Sequence, residues 1–296
     1  MKTRLGYPIA LGAMLVSALM ATGSPSVLMA DGGSASAKPD STCVRKGDAV
    51  GVTVNAKTIN AKITSMLQAN ASHSEIESTL ARDWCLTQIS KGPSMALAAS
   101  TGADVTWTGL TINYDNVTHY YYAYGNWHWN NSHYSSEADP GCQLASKADG
   151  GVDGVALRLS GGQYQIKTNG YTATTWGNSA LDSYINDFTT ATMNPSKVDQ
   201  YGVGWTWQDN VRKMENSSRL CPGPYDLSTY AGSIVMGFVR LNGPCANTQV
   251  FGDYAHDWST TSINGIGAAA DGFSIQWTTT TNQWTKSAAG QTAPTC

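Results

Sequence analysis

The chain has 296 residues, room for one large domain or two small ones, with a formal net charge of −3 and only 13% charged residues. No stretch concentrates Lys and Arg, which excludes nucleic acid as a partner, because phosphate binding needs clustered cations. The apolar share is ordinary, which excludes disorder throughout, and 14 Tyr and 10 Trp stand among many Thr, Ser, Asn and Gly residues.

The first residues read as an export signal. Lys2 and Arg4 precede the apolar run Ile9–Met20, and small residues follow at Ala21 and Gly23 and again at Ala35 and Ala37. Gly23, Ser24, Pro25 and Ser26 interrupt the run before it reaches the roughly 20 apolar residues of a membrane span. We therefore expect a signal peptide over residues 1–30, cut between 23 and 37, and no stable span afterwards. Residues 31–42, rich in Gly, Ser and Ala, read as a linker.

A helical segment is expected over residues 43–99. Ile59, Ile63, Met66 and Leu67 form a helical stripe. Ser72 and Glu75 have the spacing of a capping box, Ile76, Leu80 and Trp84 continue the stripe, and Gly92-Pro93 is the expected stop. Either this segment caps one end of a β domain, or it is a pro-segment removed after export. The half-cystine expected at Cys85 favours the cap.

From Asp104 the pattern changes to period two. The stretch Val117–Asn131 organises the rest. Read as one strand, it sends Val117, His119, Tyr121, Ala123, Trp127 and Trp129 to one face and Thr118, Tyr120, Tyr122, Tyr124, Asn126 and His128 to the other. The Trp face reads as a core wall. The Tyr face is either a second buried face or a surface that stacks on a ligand. Downstream, Asp149–Gly154 reads as a turn into the alternating run Val155–Leu159, Asn169-Gly170 as a hairpin, and Val203–Trp207 as a further strand. Short strands with frequent turn signals up to residue 296 predict a mainly β fold: an antiparallel β-sandwich, jelly-roll or lectin-like, over residues 100–296.

The six cysteines are Cys43, Cys85, Cys142, Cys221, Cys245 and Cys296, an even number without CxxC spacing. In an exported chain this implies disulfides rather than zinc. Spacing does not select a pairing; Cys43–Cys85, Cys221–Cys245 and Cys142–Cys296 are the expected ones.

The usual catalytic signatures are missing: no Gly-x-Ser-x-Gly, no His-Glu-x-x-His, no Gly-x-Gly-x-x-Gly and no P-loop. That weighs against an enzyme, although catalytic triads are defined by geometry rather than by position. In Asp253–Trp258 alternation turns His256 away from Asp253 and Asp257, and a half-buried, locally bonded His256 is the simpler expectation. His119, His128 and His133 do not share a face as metal ligands should, and Asp149–Gly154 lacks the spacing and distal Glu of a calcium loop. No cofactor or metal is therefore expected. Glu137, Asp139, Asp153, Asp209 and Glu215 supply carboxylates for glycoside hydrolysis, but no spacing singles out a pair. Most aromatic rings are expected in the core; Tyr120, Tyr122, Tyr124 and Trp176 are the residues proposed for ligand binding.

Two local stretches resemble known groups. Tyr254–Ile266 followed by Gly272–Trp277 resembles the ends of secreted β-rich proteins of actinobacterial type, which implies export and a β-sheet end. Asp153-Gly154-Val155-Ala156-Leu157 resembles the Asp-Gly strand of legume-type lectin sandwiches over five residues, too short a match to bring a sugar or metal site with it. The expected function is an extracellular binding protein for glycans or cell-surface material. A secreted polysaccharide hydrolase would instead need a cleft with two carboxylates or a His bonded to one. A structural, surface-interaction protein would show an exposed apolar patch or an open strand edge.

Overall fold

The computed structural model describes residues 43–46, 53–91, 95–96, 105–129, 147–160, 163–178, 190–213, 225–241, 248–257, 263–269, 272–277, 283–287 and 291–293, all within one compact unit, Ser34–Cys296. The expected signal peptide and the whole linker lie outside them, as do Cys142, Cys221, Cys245, Cys296, His133, Glu137, Asp139 and Glu215.

Two helices come first, α1 (Ala56–Gln68) and α2 (His73–Trp84). Both begin with a capping box, Asn55 with Thr58 and Ser72 with Glu75, so their first free amides are satisfied within the turn. Helix α2 stops at Trp84, well short of Gly92-Pro93, because Cys85 takes a left-handed conformation at φ 59° and is bonded to Cys43. Strand β1 (Leu86–Lys91) follows immediately.

The remaining elements are β2 (Met95–Ala96), β3 (Val105–Asp115), β4 (Tyr121–Trp129), β5 (Lys147–Ser160), β6 (Tyr164–Asn178), β7 (Ala191–Met193), β8 (Lys197–Val198), β9 (Gly202–Lys213), β10 (Tyr225–Arg240), β11 (Thr248–Asp257), β12 (Ile263–Ala269), β13 (Gly272–Trp277), β14 (Gln283–Ser287) and β15 (Gln291–Ala293). All pairings are antiparallel. Strands β1 and β2 pair with β3, so the sheet begins before residue 100.

Among the described residues, thirteen strands form one hydrogen-bonded sheet that curls into two layers. The front layer runs β1-β3-β4-β10-β6-β7, and the rear layer runs β8-β9-β5-β11 with β14 and β15 beyond. They join at a corner where Tyr225–Leu227 of β10 pairs with Val211–Lys213 of β9. At the opposite side the Ser90 hydroxyl of β1 donates to Gln291 of β15 at 3.1 Å. The mainly β, antiparallel architecture with a short helical segment is the one the sequence predicts.

Indoles fill the space between the layers. Trp127 of β4 stacks on Trp107 of β3 and on Trp207 of β9, with centroids 6.2 and 5.6 Å apart, and Tyr254 of β11 tilts against it at 5.8 Å. Trp127 lies flat over Gly232, where a Cβ would come within 2.2 Å of the ring. Gly232→Ala should therefore force the indole aside and cost about 1–3 kcal/mol, read by urea unfolding.

Two turn signals are used differently from expectation. Asn169-Gly170 does not reverse the chain. It sits in a wide bulge inside β6, between the Ile166↔Phe238 and Tyr171↔Met236 pairs, with Asn169 at φ 56°. Asp149–Gly154 likewise lies within β5, where Gly150 at φ 74° marks a register shift. Left-handed backbone serves a bulge as well as a hairpin, and the sequence alone does not distinguish them.

Part of the front layer, at β4 and β10, is buried on both faces. Helices α1 and α2 cover its outer face with Ile59, Ile63, Ile76 and Leu80 against Tyr122, Tyr124 and Val235. On the rear layer, Ile263 of the β12–β13 hairpin packs with Ala156 and Ala255. The Cys43–Cys85 bond forms as expected, and Arg45 beside it makes a buried ion pair with Asp115. Among the described residues no helix is long and apolar enough to cross a membrane.

Candidate functional site

The alternation predicted for the central strand holds, but its Tyr face is not an open platform. Tyr122 and Tyr124 are each 1% exposed beneath the helices. The Tyr124 hydroxyl donates to Glu77 of α2, and burial, followed by the Glu77 charge, pushes its phenol well above the usual value. Burial pushes Tyr122 up to about 12. Tyr120 is half-buried, with the Lys167 ammonium 3.6 Å from its ring centre. The expected row of three stacking rings is thus corrected: two amphipathic helices needed an apolar partner, and the Tyr face supplied it. His119 lies outside β4, at φ 60° in the preceding turn, where Tyr114 bonds its ring at 2.6 Å.

The same face becomes accessible two registers further on, where α1 ends. Ser233 pairs laterally with Asn126 on β4 and Thr174 on β6, and this row is still roofed by α1: Asn60 donates to Thr174 at 2.7 Å and Thr64 bonds Ser233 at 2.8 Å. The next row is His128–Ala231–Trp176. It lies past the helix end, in an open cleft of about 570 Å³, within the size range of small-ligand sites. Its floor is Ala231, whose small side chain leaves a hollow between the His128 and Trp176 rings. Its wall is the end of α1, with Leu67, Gln68 and Asn70, and Tyr230 and Asn126 complete it. Asn70 adopts φ 58°, which Asn tolerates better than most residues, and the Asn70 and Ala71 amides close the helix by donating to Leu67 and Met66.

This lining contains no formal charge. Burial lowers the His128 pKa, so at pH 7 the ring is neutral, one nitrogen donating and the other accepting. Trp176 and His128 offer ring faces, the amides of Gln68, Asn70 and Asn126 offer donors and acceptors, and the helix C-terminus favours hydroxyl donors. Of the four residues proposed from sequence, only Trp176 lines the cleft. Asn126 and His128 were legible as the continuation of the Tyr face; Leu67, Gln68, Asn70 and Tyr230 come from elements that only folding brings there.

A second grouping lies inside the sandwich. The His256 Nδ1 is 2.7 Å from Asp153 Oδ1 and the Tyr254 hydroxyl donates to Asp153 Oδ2 at 3.0 Å; burial, followed by the Asp153 and Asp209 charges, pushes the Tyr254 phenol well above its usual value. His256, expected half-buried and locally bonded, is instead fully buried against a residue 103 positions away. Asp253 faces the other way and pairs with Arg158 at 3.1 Å, as alternation requires. Two carboxylates and an imidazole thus do come together, but all are 0% exposed, out of reach of a polysaccharide.

No family model and no curated protein sequence matches this chain. Among solved structures, a pore-forming protein is similar over 68% of this chain and 90% of its own, at 7% identity and a TM-score of 0.30. AvmM, which catalyses macrocyclisation in alchivemycin A biosynthesis, is similar over 46% of this chain and 64% of its own, at 8% identity and a TM-score of 0.16. Likeness at this level transfers no activity.

Proposed function

We propose that the protein is secreted and binds glycans, and that the cleft at the end of α1 holds the sugar. The observation that carries this reading is the lining: aromatic faces and uncharged amides around a hollow floored by Ala231, with no carboxylate or cation among them. Such a surface suits a neutral saccharide, whose apolar face stacks on a ring while its hydroxyls exchange hydrogen bonds with amides. It does not suit phosphate or sulfate groups, which call for Arg or Lys. Secretion is supported by the N-terminal apolar run behind Lys2 and Arg4 and by the Cys43–Cys85 bond.

A glycan array carrying neutral and anionic oligosaccharides tests the proposal. Neutral glycans should bind and sulfated ones should gain nothing. Trp176→Ala should weaken the binding several-fold, about 1 kcal/mol for a lost stacking contact, with the melting temperature nearly unchanged because the ring is only half-buried. Binding that survives both Trp176→Ala and His128→Gln would place the site elsewhere.

A further inference from the structure

Strands β9, β5 and β11 lie side by side in the rear layer, and each carries one carboxylate or imidazole in its inward-facing register. Asp209 follows Trp205 and Trp207, Asp153 precedes Val155 and Leu157, and His256 follows Tyr254. One ligating atom from each lies within 4.8 Å of the other two. Trp129 stands edge-on to the imidazole with centroids 4.7 Å apart, and Trp207 packs edge-on to Tyr254 at 5.8 Å. The walls around the three side chains are therefore aromatic.

Two carboxylates and an imidazole converging from three strands form a donor set that suits a cation. A divalent ion with a neutral imidazole balances both carboxylates at once.

We propose that Asp153, Asp209 and His256 bind one zinc ion that clamps β9, β5 and β11 together. The donor set is the reason for zinc: carboxylate oxygens accept several cations, but an imidazole ligand favours zinc over calcium or magnesium. The spacing agrees. Ligand atoms about 2.1 Å from a tetrahedral zinc stand roughly 3.4 Å apart, so the 2.7 Å contact of His256 with Asp153 need open by only a fraction of an ångström. Tyr254 acts as a positioning residue, its hydroxyl holding the second oxygen of Asp153, as partners of metal-binding carboxylates do. Three protein ligands leave the fourth tetrahedral position to a water; since all three are 0% exposed, the ion is out of reach of a substrate and its binding adds to folding stability.

The test uses the full chain, purified without a metal-affinity step and dialysed against metal-free buffer. Elemental mass spectrometry should find one zinc per chain. Protein stripped with EDTA should melt lower, and zinc at a hundredfold excess over Kd should restore roughly 5–10 °C, which calcium and magnesium do not. Asp209→Asn should remove both the bound zinc and the zinc-dependent rise. If that variant does not fold, the wild-type titration decides alone. Stripped wild-type protein that melts at the same temperature with and without zinc, and retains no stoichiometric metal, overturns the proposal and leaves the three residues as a proton-sharing network. Sugar binding at the cleft is read separately, so either proposal can fail without the other.

Discussion

Tyr122→Ala should lower stability by about 3–5 kcal/mol, the range for truncating a large buried aromatic side chain. The ring lies on the outer face of β4 at 1% exposure, beneath the helices and in one cluster with Ile59, Ile76 and Leu86. Its edge also meets Gly237 of β10, where a Cβ would come within 3.0 Å of it. Removing it opens a hole between helix and sheet that neither side fills without shifting. Urea unfolding of wild type and variant measures the difference. A loss under about 1 kcal/mol would mean that the helices do not hold the Tyr face as described, and would restore that face as a binding surface.

Breaking the Cys43–Cys85 bond should cost about 4 kcal/mol, the loop-closure value for a link 42 residues apart. The bond ends the chain before α1 against the start of β1, and it delivers Arg45 to Asp115. Asp115 is fully buried and also accepts from the Val117 and Thr118 amides and the Thr118 hydroxyl. Cutting the tether frees Arg45 to leave that carboxylate short of its cation, so the loss should exceed that of an equivalent bond between surface loops. The paired Cys43→Ser, Cys85→Ser variant tests this by its denaturation midpoint. An unchanged midpoint would show that the helical segment is held by packing alone.

Much of the fold was legible because its signals are local. The Ser72–Glu75 box, the Ile59–Ile63 stripe and the alternation of β4, β9 and β11 each depend on neighbours a few residues away. What covers each face depends instead on strand order, which no window of sequence contains. Tyr122 and Tyr124 read equally well as a binding row or as a second core face, and the choice fell to helices some fifty residues earlier. Asp153, Asp209 and His256 were each noted, but they meet only because β5 lies between β9 and β11 in the curled sheet. The usable clue was a charged residue in the inward register of an otherwise apolar strand, as Asp209 is after Trp205 and Trp207. Of the residues lining the cleft, Trp176 was reachable as a ring on a strand ending in polar residues, whereas Gln68 and Asn70 required knowing where α1 stops over the sheet.

The central claim is that sugar is held where α1 ends above β4, β10 and β6. Hydrogen–deuterium exchange with and without the strongest neutral oligosaccharide from the array tests it directly. Saturating ligand should slow exchange in peptides covering Leu67–Asn70, Asn126–His128, Trp176–Gly177 and Tyr230–Ala231, the segments that line the cleft. Slowing confined to the β12–β13 hairpin or to other segments, with these unchanged, would contradict it.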